Sequence, residues 1–140
     1  MRKQTPLDLV LIEDNEDHIA LVRKTLNAER ISNTLTVFQE GESALSYLRQ
    51  GSVPAPSVVI LDVNLPGMDG LELLSIIRSD PRLKMLPVVM LSTSDARSDR
   101  NGAYERGANS YLVKPLDFGK FRQMIRDVGL YWSVWNRPPE

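Results

Sequence analysis

Acids, hydroxyls and a lysine stand out in this sequence because each follows a short apolar run. Glu13-Asp14 follows Leu9-Val10-Leu11-Ile12, and Asp62 follows Val58-Val59-Ile60-Leu61. Ser92-Thr93-Ser94 follows Val88-Val89-Met90-Leu91, and Lys114-Pro115 follows Tyr111-Leu112-Val113. If those runs are strands that end on one edge, Glu13, Asp14 and Asp62 meet there. Clustered carboxylates repel one another unless a cation neutralises them. All-oxygen donors favour a hard ion, and Mg²⁺ held by carboxylates, waters and phosphate oxygens is the usual arrangement. A carboxylate beside Mg²⁺ and a lysine suits nucleophilic attack on phosphorus, which gives an acyl phosphate. Metal and ammonium then offset the charge on the transferring group.

The elements that must position these groups are legible from periodicity. Five apolar runs, the four above and Leu35-Thr36-Val37-Phe38, are nearly continuous rather than alternating. That pattern suits strands buried on both faces of a parallel sheet. Helical stripes lie between and after them: Ile19/Val22/Leu26, Ala44/Leu48, Leu71/Leu74/Ile77 and Phe118/Phe121/Ile125/Val128. Each would cover a sheet face. Gly51 and Pro54 to Pro56 punctuate the chain before the third strand, Pro81 and Pro87 before the fourth, and Gly107 reads as a helix C-cap. The alternation implies parallel strands joined by right-handed crossovers, with ligands gathering at the carboxyl ends of the strands. The segment 96–106 offers little apolar surface beyond Ala96, Ala103 and Tyr104, and Gly102 weakens it as a helix. It is either a solvated edge helix or a movable switch element.

Composition narrows the function classes. The chain has 140 residues, one domain's worth, with 42% hydrophobic and 25% charged residues. A formal charge of -1 gives no broad basic field for DNA or anionic lipid. With no cysteine, disulfides, thiol catalysis and cysteine-based zinc sites are excluded, and one histidine, His18, cannot build a multi-histidine metal site. His18 reads as an ordinary polar residue of the first helix. No signal peptide is visible and no apolar run approaches a membrane span of ~20 residues. A cytoplasmic location is expected.

The pieces Glu13-Asp14, Asp62-Val63-Asn64-Leu65-Pro66-Gly67-Met68-Asp69-Gly70, Leu91-Ser92 and Lys114-Pro115, in that order, resemble the receiver domain of bacterial response regulators. The resemblance covers residues 7–129 and leaves 130–140 as a C-terminal aromatic and proline tail. It implies a single flavodoxin-like (CheY-like) α/β domain, a five-stranded parallel sheet in the order 2-1-3-4-5. It implies that Asp62 accepts a phosphoryl group from a sensor histidine kinase in a Mg²⁺-dependent reaction. Asp14 would hold the ion directly, Glu13 directly or through water, with Asp62 and the backbone carbonyl of Asn64 as further ligands. Ser92 would hydrogen-bond the phosphoryl oxygens, Lys114 would pair with them, and Tyr111 would be an aromatic switch that turns inward as Ser92 moves. Such a protein is a phosphoacceptor switch that promotes its own phosphorylation and dephosphorylation, not a turnover enzyme. With no second domain in view, its output is a protein contact, a dimerisation change or onward phosphorelay.

Each residue has a plainer reading. Glu13-Asp14 could mark a helix start, Asp62 a turn before Pro66-Gly67, Lys114 a surface charge and Tyr111 a packed aromatic. Ser92 competes with Thr93, since neighbours on a strand face opposite ways. Ser94 and Asn64 flank the site and would tune the lifetime of the modification. The tail, with Tyr131, Trp132 and Trp135, either folds back on the domain or makes a dimer or partner contact. Tyr131-Trp132 followed by Asn136-Arg137-Pro138-Pro139 resembles stand-alone receivers paired with bacteriophytochrome-type sensor kinases, which implies a homodimer as well as that kinase. Three rivals stay open: a receiver serving another kinase, an unphosphorylated pseudo-receiver that only binds partners, and a haloacid-dehalogenase-type phosphatase. The last wants its Asp-x-Asp on the first strand, whereas Asp62 follows the third.

Overall fold

A computed structural model describes residues 7–28, 33–50 and 57–136. The turn signals at Gly51 and Pro54 to Pro56, and the tail residues Arg137, Pro138 and Pro139, lie outside them. The strands are β1 (Leu7–Ile12), β2 (Asn33–Phe38), β3 (Ser57–Leu61), β4 (Val88–Ser92) and β5 (Ser110–Val113). The α-helices are α1 (Glu16–Ala28), α2 (Gly41–Arg49), α3 (Gly70–Ser79), α4 (Arg97–Glu105) and α5 (Phe118–Leu130). All four strand pairings are parallel, in the order β2-β1-β3-β4-β5. This is the flavodoxin-like arrangement expected.

Burial on both faces explains the apolar runs of β1, β3 and β4, whereas β2 and β5, at the edges of the sheet, are only partly buried. Every residue of β3 and β4 is buried. Side chains alternate across a strand, so Val10 and Ile12 of β1 face one core while Leu9 and Leu11 face the other. The first core is closed by Ala44 and Leu48 of α2 and Leu73, Leu74 and Ile77 of α3. The second is closed by Ile19, Val22 and Leu26 of α1 and Phe121 and Ile125 of α5.

Helix α4 is the exception the sequence announced. It buries only Gly102 and Ala103, and Tyr104 is half exposed. A fully buried leucine or isoleucine contributes roughly 1.5–3 kcal/mol. Helix α3 has three such residues and α4 none, so α4 is held more weakly. Its C-terminus is well made nonetheless. Gly107 adopts φ +95°, which glycine tolerates best. Its N–H donates to Tyr104 O at 3.0 Å, and the Ala108 N–H donates to Ala103 O at 3.0 Å, a Schellman closure.

Arg78 supplies a clamp that the sequence did not advertise. Its guanidinium donates to the carbonyls of Gly107 (2.8 Å), Lys84 (3.2 Å) and Leu86 (2.7 Å) and to Asn109 Oδ1 (2.9 Å). Asn109 Oδ1 also accepts from the Val88 N–H at 2.8 Å. The loops entering β4 and β5 are thus pinned together, which sets where both strands begin.

The last helix does not stop at Leu130 but runs on as one π-helical turn, Tyr131–Trp135. Trp132 packs against the second core, while Tyr131 and Trp135 are 51% and 70% exposed. No helix among the described residues is long and apolar enough to cross a membrane.

Asp8 is an electrostatic liability in β1. Among the described residues its Oδ1 is buried without a partner, and its Oδ2 has only a long 3.5 Å contact from the Tyr47 hydroxyl. Burial raises its pKa, and the tyrosine only partly opposes that. The native state therefore holds this proton more tightly than the unfolded chain does. The associated stability is complete below the unfolded value near 3.8 and is lost as pH rises through the folded value. Asp8→Asn should gain about 1 kcal/mol in urea unfolding at pH 7 and almost nothing near pH 3. An equal shift at both pH values would contradict this.

Candidate functional site

The site residues are placed by backbone hydrogen bonds that run just past the strand ends. The Glu13 N–H donates to Phe38 O at 2.9 Å, Asp62 N–H to Ile12 O at 3.0 Å, and Lys114 N–H to Ser92 O at 2.7 Å. Each functional residue is the first after its strand, and the sheet ladder fixes it against its neighbour. The carboxyl edge thus brings together the residues that the sequence places at strand ends.

Glu13, Asp14 and Asp62 each offer a carboxylate oxygen, all within 4.8 Å of one another. Glu13 and Asp62 are buried and Asp14 is exposed. Lys114 is also buried and donates to both buried acids, to Asp62 Oδ2 at 2.9 Å and to Glu13 Oε1. Two N–H groups stabilise the remaining oxygens, Asn15 on Glu13 Oε2 (3.1 Å) and Asn64 on Asp62 Oδ1 (3.0 Å). Burial, reinforced by the charge of Asp62, pushes Glu13 up to about 7 even though Lys114 opposes the shift. Three carboxylates share the one Lys114 ammonium. The unmet negative charge and the all-oxygen donor set fit a hard divalent cation reached from the side of exposed Asp14.

Ser92 and Thr93 differ in burial. Ser92 is fully buried at the end of β4, whereas Thr93 is exposed. Ser92 Oγ accepts from the Ser94 N–H at 3.1 Å. Ser94 is connected further: its hydroxyl donates to Asp99 Oδ2 at 2.6 Å, and its carbonyl accepts from the Tyr111 hydroxyl at 2.8 Å. Tyr111 is buried, turned into the first core. A chain of contacts therefore links Ser92 to α4 and to Tyr111. Asn64 is exposed, two residues beyond Asp62.

His18 is the residue that sequence reasoning set aside. Its Nδ1 lies 3.1 Å from Lys114 Nζ and 3.6 Å from Glu13 Oε1. Its ring meets Phe121 edge-on at 5.2 Å. Burial, and then the Lys114 charge, lower its pKa, against the pull of Asp62, Asp17 and Asp14. The signal was available: His18 stands four residues before Val22 and so continues the inward face of α1 toward the acid-bearing edge.

Gly70 is a close-approach position behind the site. A Cβ there would lie 2.1 Å from the Asp62 carbonyl oxygen and 2.9 Å from Val63 Cα. The Gly70 N–H donates to Val63 O at 2.9 Å, and Asp69 caps α3 by accepting from the Leu71 N–H at 2.8 Å. Helix α3 can start here only because residue 70 has no side chain.

A doubly wound parallel sheet thus carries three acids and a lysine at its carboxyl edge. The match to known proteins is specific: the model of the response regulator receiver domain matches residues 9–126. The chain belongs to that family, whose members are receivers of two-component systems phosphorylated on aspartate. The probable methanogenesis regulatory protein FilR2 of Methanothrix harundinacea is 36% identical, covering 99% of this chain and 92% of its own. The Mn²⁺-bound response regulator Rcp1, a protein of Synechocystis, superposes with a TM-score of 0.88 at 31% identity, covering 95% of this chain and 99% of that one. The phosphorylated cyanobacterial phytochrome response regulator RcpA gives 0.89 at 32% identity, covering 95% and 98%.

Gly70→Ala should cost about 3 kcal/mol in chemical unfolding, because backbone rather than a flexible side chain must yield. Stability within about 0.5 kcal/mol of the parent would show that the approach is less tight than described.

Proposed function

We propose that Asp62 is the phosphoacceptor of a Mg²⁺-dependent phosphorylation switch served by a sensor histidine kinase. The observation that carries this reading is the buried Asp62 carboxylate, within 4.8 Å of carboxylate oxygens of Glu13 and Asp14 and accepting from the Lys114 ammonium at 2.9 Å. Asp14, Glu13, Asp62 and the Asn64 carbonyl would hold the ion, which when bound supplies positive charge to the equatorial oxygens of the transferring group. The Mn²⁺-bound form of Rcp1 supports a divalent site in this fold.

The residues then divide the work. An Asp62 carboxylate oxygen attacks phosphorus on the kinase's phosphohistidine. The O–P bond forms, the P–N bond breaks, and the departing imidazole takes a proton from solvent. Lys114 faces the phosphoryl oxygens with an ammonium already in place, and the Ser92 hydroxyl donates to another. Taking up that bond alters the contact from the Ser94 N–H to Ser92. Ser94 in turn touches Tyr111 and Asp99, so Tyr111 and weakly docked α4 carry the output. The same groups serve attack by water on phosphorus, which forms a new O–P bond, breaks the bond to the Asp62 oxygen and releases inorganic phosphate, restoring the carboxylate.

Residues 7–129 form the receiver and 130–140 an interaction tail in this reading. Trp132 anchors the tail inward, and exposed Tyr131 and Trp135 offer apolar surface for a homodimer. The likeness to RcpA favours a phytochrome-type kinase, bacteriophytochrome among them, as the partner. The cytoplasm is the compartment, and the output is a protein contact or phosphorelay rather than DNA binding.

Incubation with acetyl phosphate and Mg²⁺ should add about 80 Da, the mass of a phosphoryl group, in the wild type but not in Asp62→Asn. No adduct in the wild type would favour a pure interaction module. Tyr131→Ser combined with Trp135→Ser should move the protein toward monomer in size exclusion. An unchanged elution volume would remove these rings from any dimer contact.

A further inference from the structure

Lys114 has three donor hydrogens, and three acceptors surround its Nζ: Glu13 Oε1, Asp62 Oδ2 and His18 Nδ1. They are not equivalent. In the proposed function, on which this inference rests, Glu13 and Asp62 turn toward a divalent ion, and Asp62 becomes esterified. Both then compete less well for the ammonium. His18 is neither a ligand nor the acceptor, so its hold on Lys114 persists through the reaction. We infer that His18 is a positioning residue, keeping the Lys114 ammonium aimed at the place where phosphoryl oxygens arrive.

The chemistry of the contact fixes the histidine's state. A lysine ammonium has no lone pair, so a 3.1 Å contact requires Nδ1 to be the acceptor and the ring proton to sit on Nε2. The ring is held for the task. It is carried by α1 and braced edge-on by Phe121, which is fully buried in α5. Lys114 follows β5, so His18 ties the two outer-layer helices of the second core to the strand end that bears the catalytic cation. Without it, one hydrogen of a buried ammonium loses its partner, and the side chain gains freedom once the carboxylates turn away.

Two variants separate positioning from packing. His18→Asn keeps an acceptor atom at the δ position, and His18→Leu has similar size without one. With acetyl phosphate and saturating Mg²⁺, His18→Leu should be phosphorylated on the order of tenfold more slowly, as expected for loss of a hydrogen bond to a charged group. His18→Asn should restore the rate to within about threefold. The Mg²⁺ dissociation constant, measured by calorimetry, should stay within about twofold in both, since His18 is not a ligand. A second readout needs no phosphorylation. His18 is the sole histidine, so ¹⁵N NMR of histidine-labelled protein reports its tautomer directly, and Nε2–H should dominate at neutral pH. A wild-type rate in His18→Leu, an effect confined to Mg²⁺ affinity, failure of asparagine to rescue, or an Nδ1–H tautomer would each overturn the inference. A wild type that takes no phosphoryl group would instead sink the phosphoacceptor reading, and the tautomer would still decide the His18–Lys114 contact.

Discussion

Repulsion among Glu13, Asp14 and Asp62 is the constraint around which the rest of this domain is arranged. Oxygens of three carboxylates within 4.8 Å are an unfavourable arrangement that folding must impose from outside the cluster. The sheet imposes it, through ladder bonds that lock residues 13, 62 and 114 to the strand beside each. Lys114 relieves part of the strain by bridging the two buried acids. Burial, with the Asp62 charge adding to it, still raises the pKa of Glu13. A buried charge left partly unpaired is costly, and it persists where binding needs it.

The surrounding structure is correspondingly uneven. Helices α1, α3 and α5 and strands β1, β3 and β4 bury large apolar side chains and form the frame. Gly70 lets α3 begin against the Asp62 backbone, and Arg78 fixes the loops that feed β4 and β5. Helix α4 contributes little to either core. Its link to the site runs through the Ser94–Asp99 hydrogen bond. An element with so little buried surface opens at lower free-energy cost than the rest of the domain.

Much of this was written in the sequence, for physical reasons. Runs such as Val58–Leu61 and Val88–Leu91 read as doubly buried strands because a parallel sheet leaves neither face wet. The candidate site was legible because its residues sit at strand ends, where polar residues interrupt an apolar run. Even the weakness of α4 followed from its composition. What escaped depends on contacts distant in sequence. His18 meets Lys114 across 96 positions, and Arg78 spans from α3 to the turn before β5. The tail was ambiguous because Tyr131, Trp132 and Trp135 share one composition but not one orientation. Only the helical path decides that Trp132 turns inward and the other two outward.

Capture of a divalent ion by the folded acid cluster is the central requirement of the switch. Urea unfolding at constant ionic strength, followed as Mg²⁺ replaces a monovalent salt, reads that affinity as stability. A ligand that binds only the native state adds about 2.7 kcal/mol at a hundredfold excess over its dissociation constant. The wild type should show a rising unfolding midpoint that grows with the logarithm of Mg²⁺ concentration, and Asp14→Asn should lose most of that rise. A wild-type midpoint indifferent to Mg²⁺ would contradict the account.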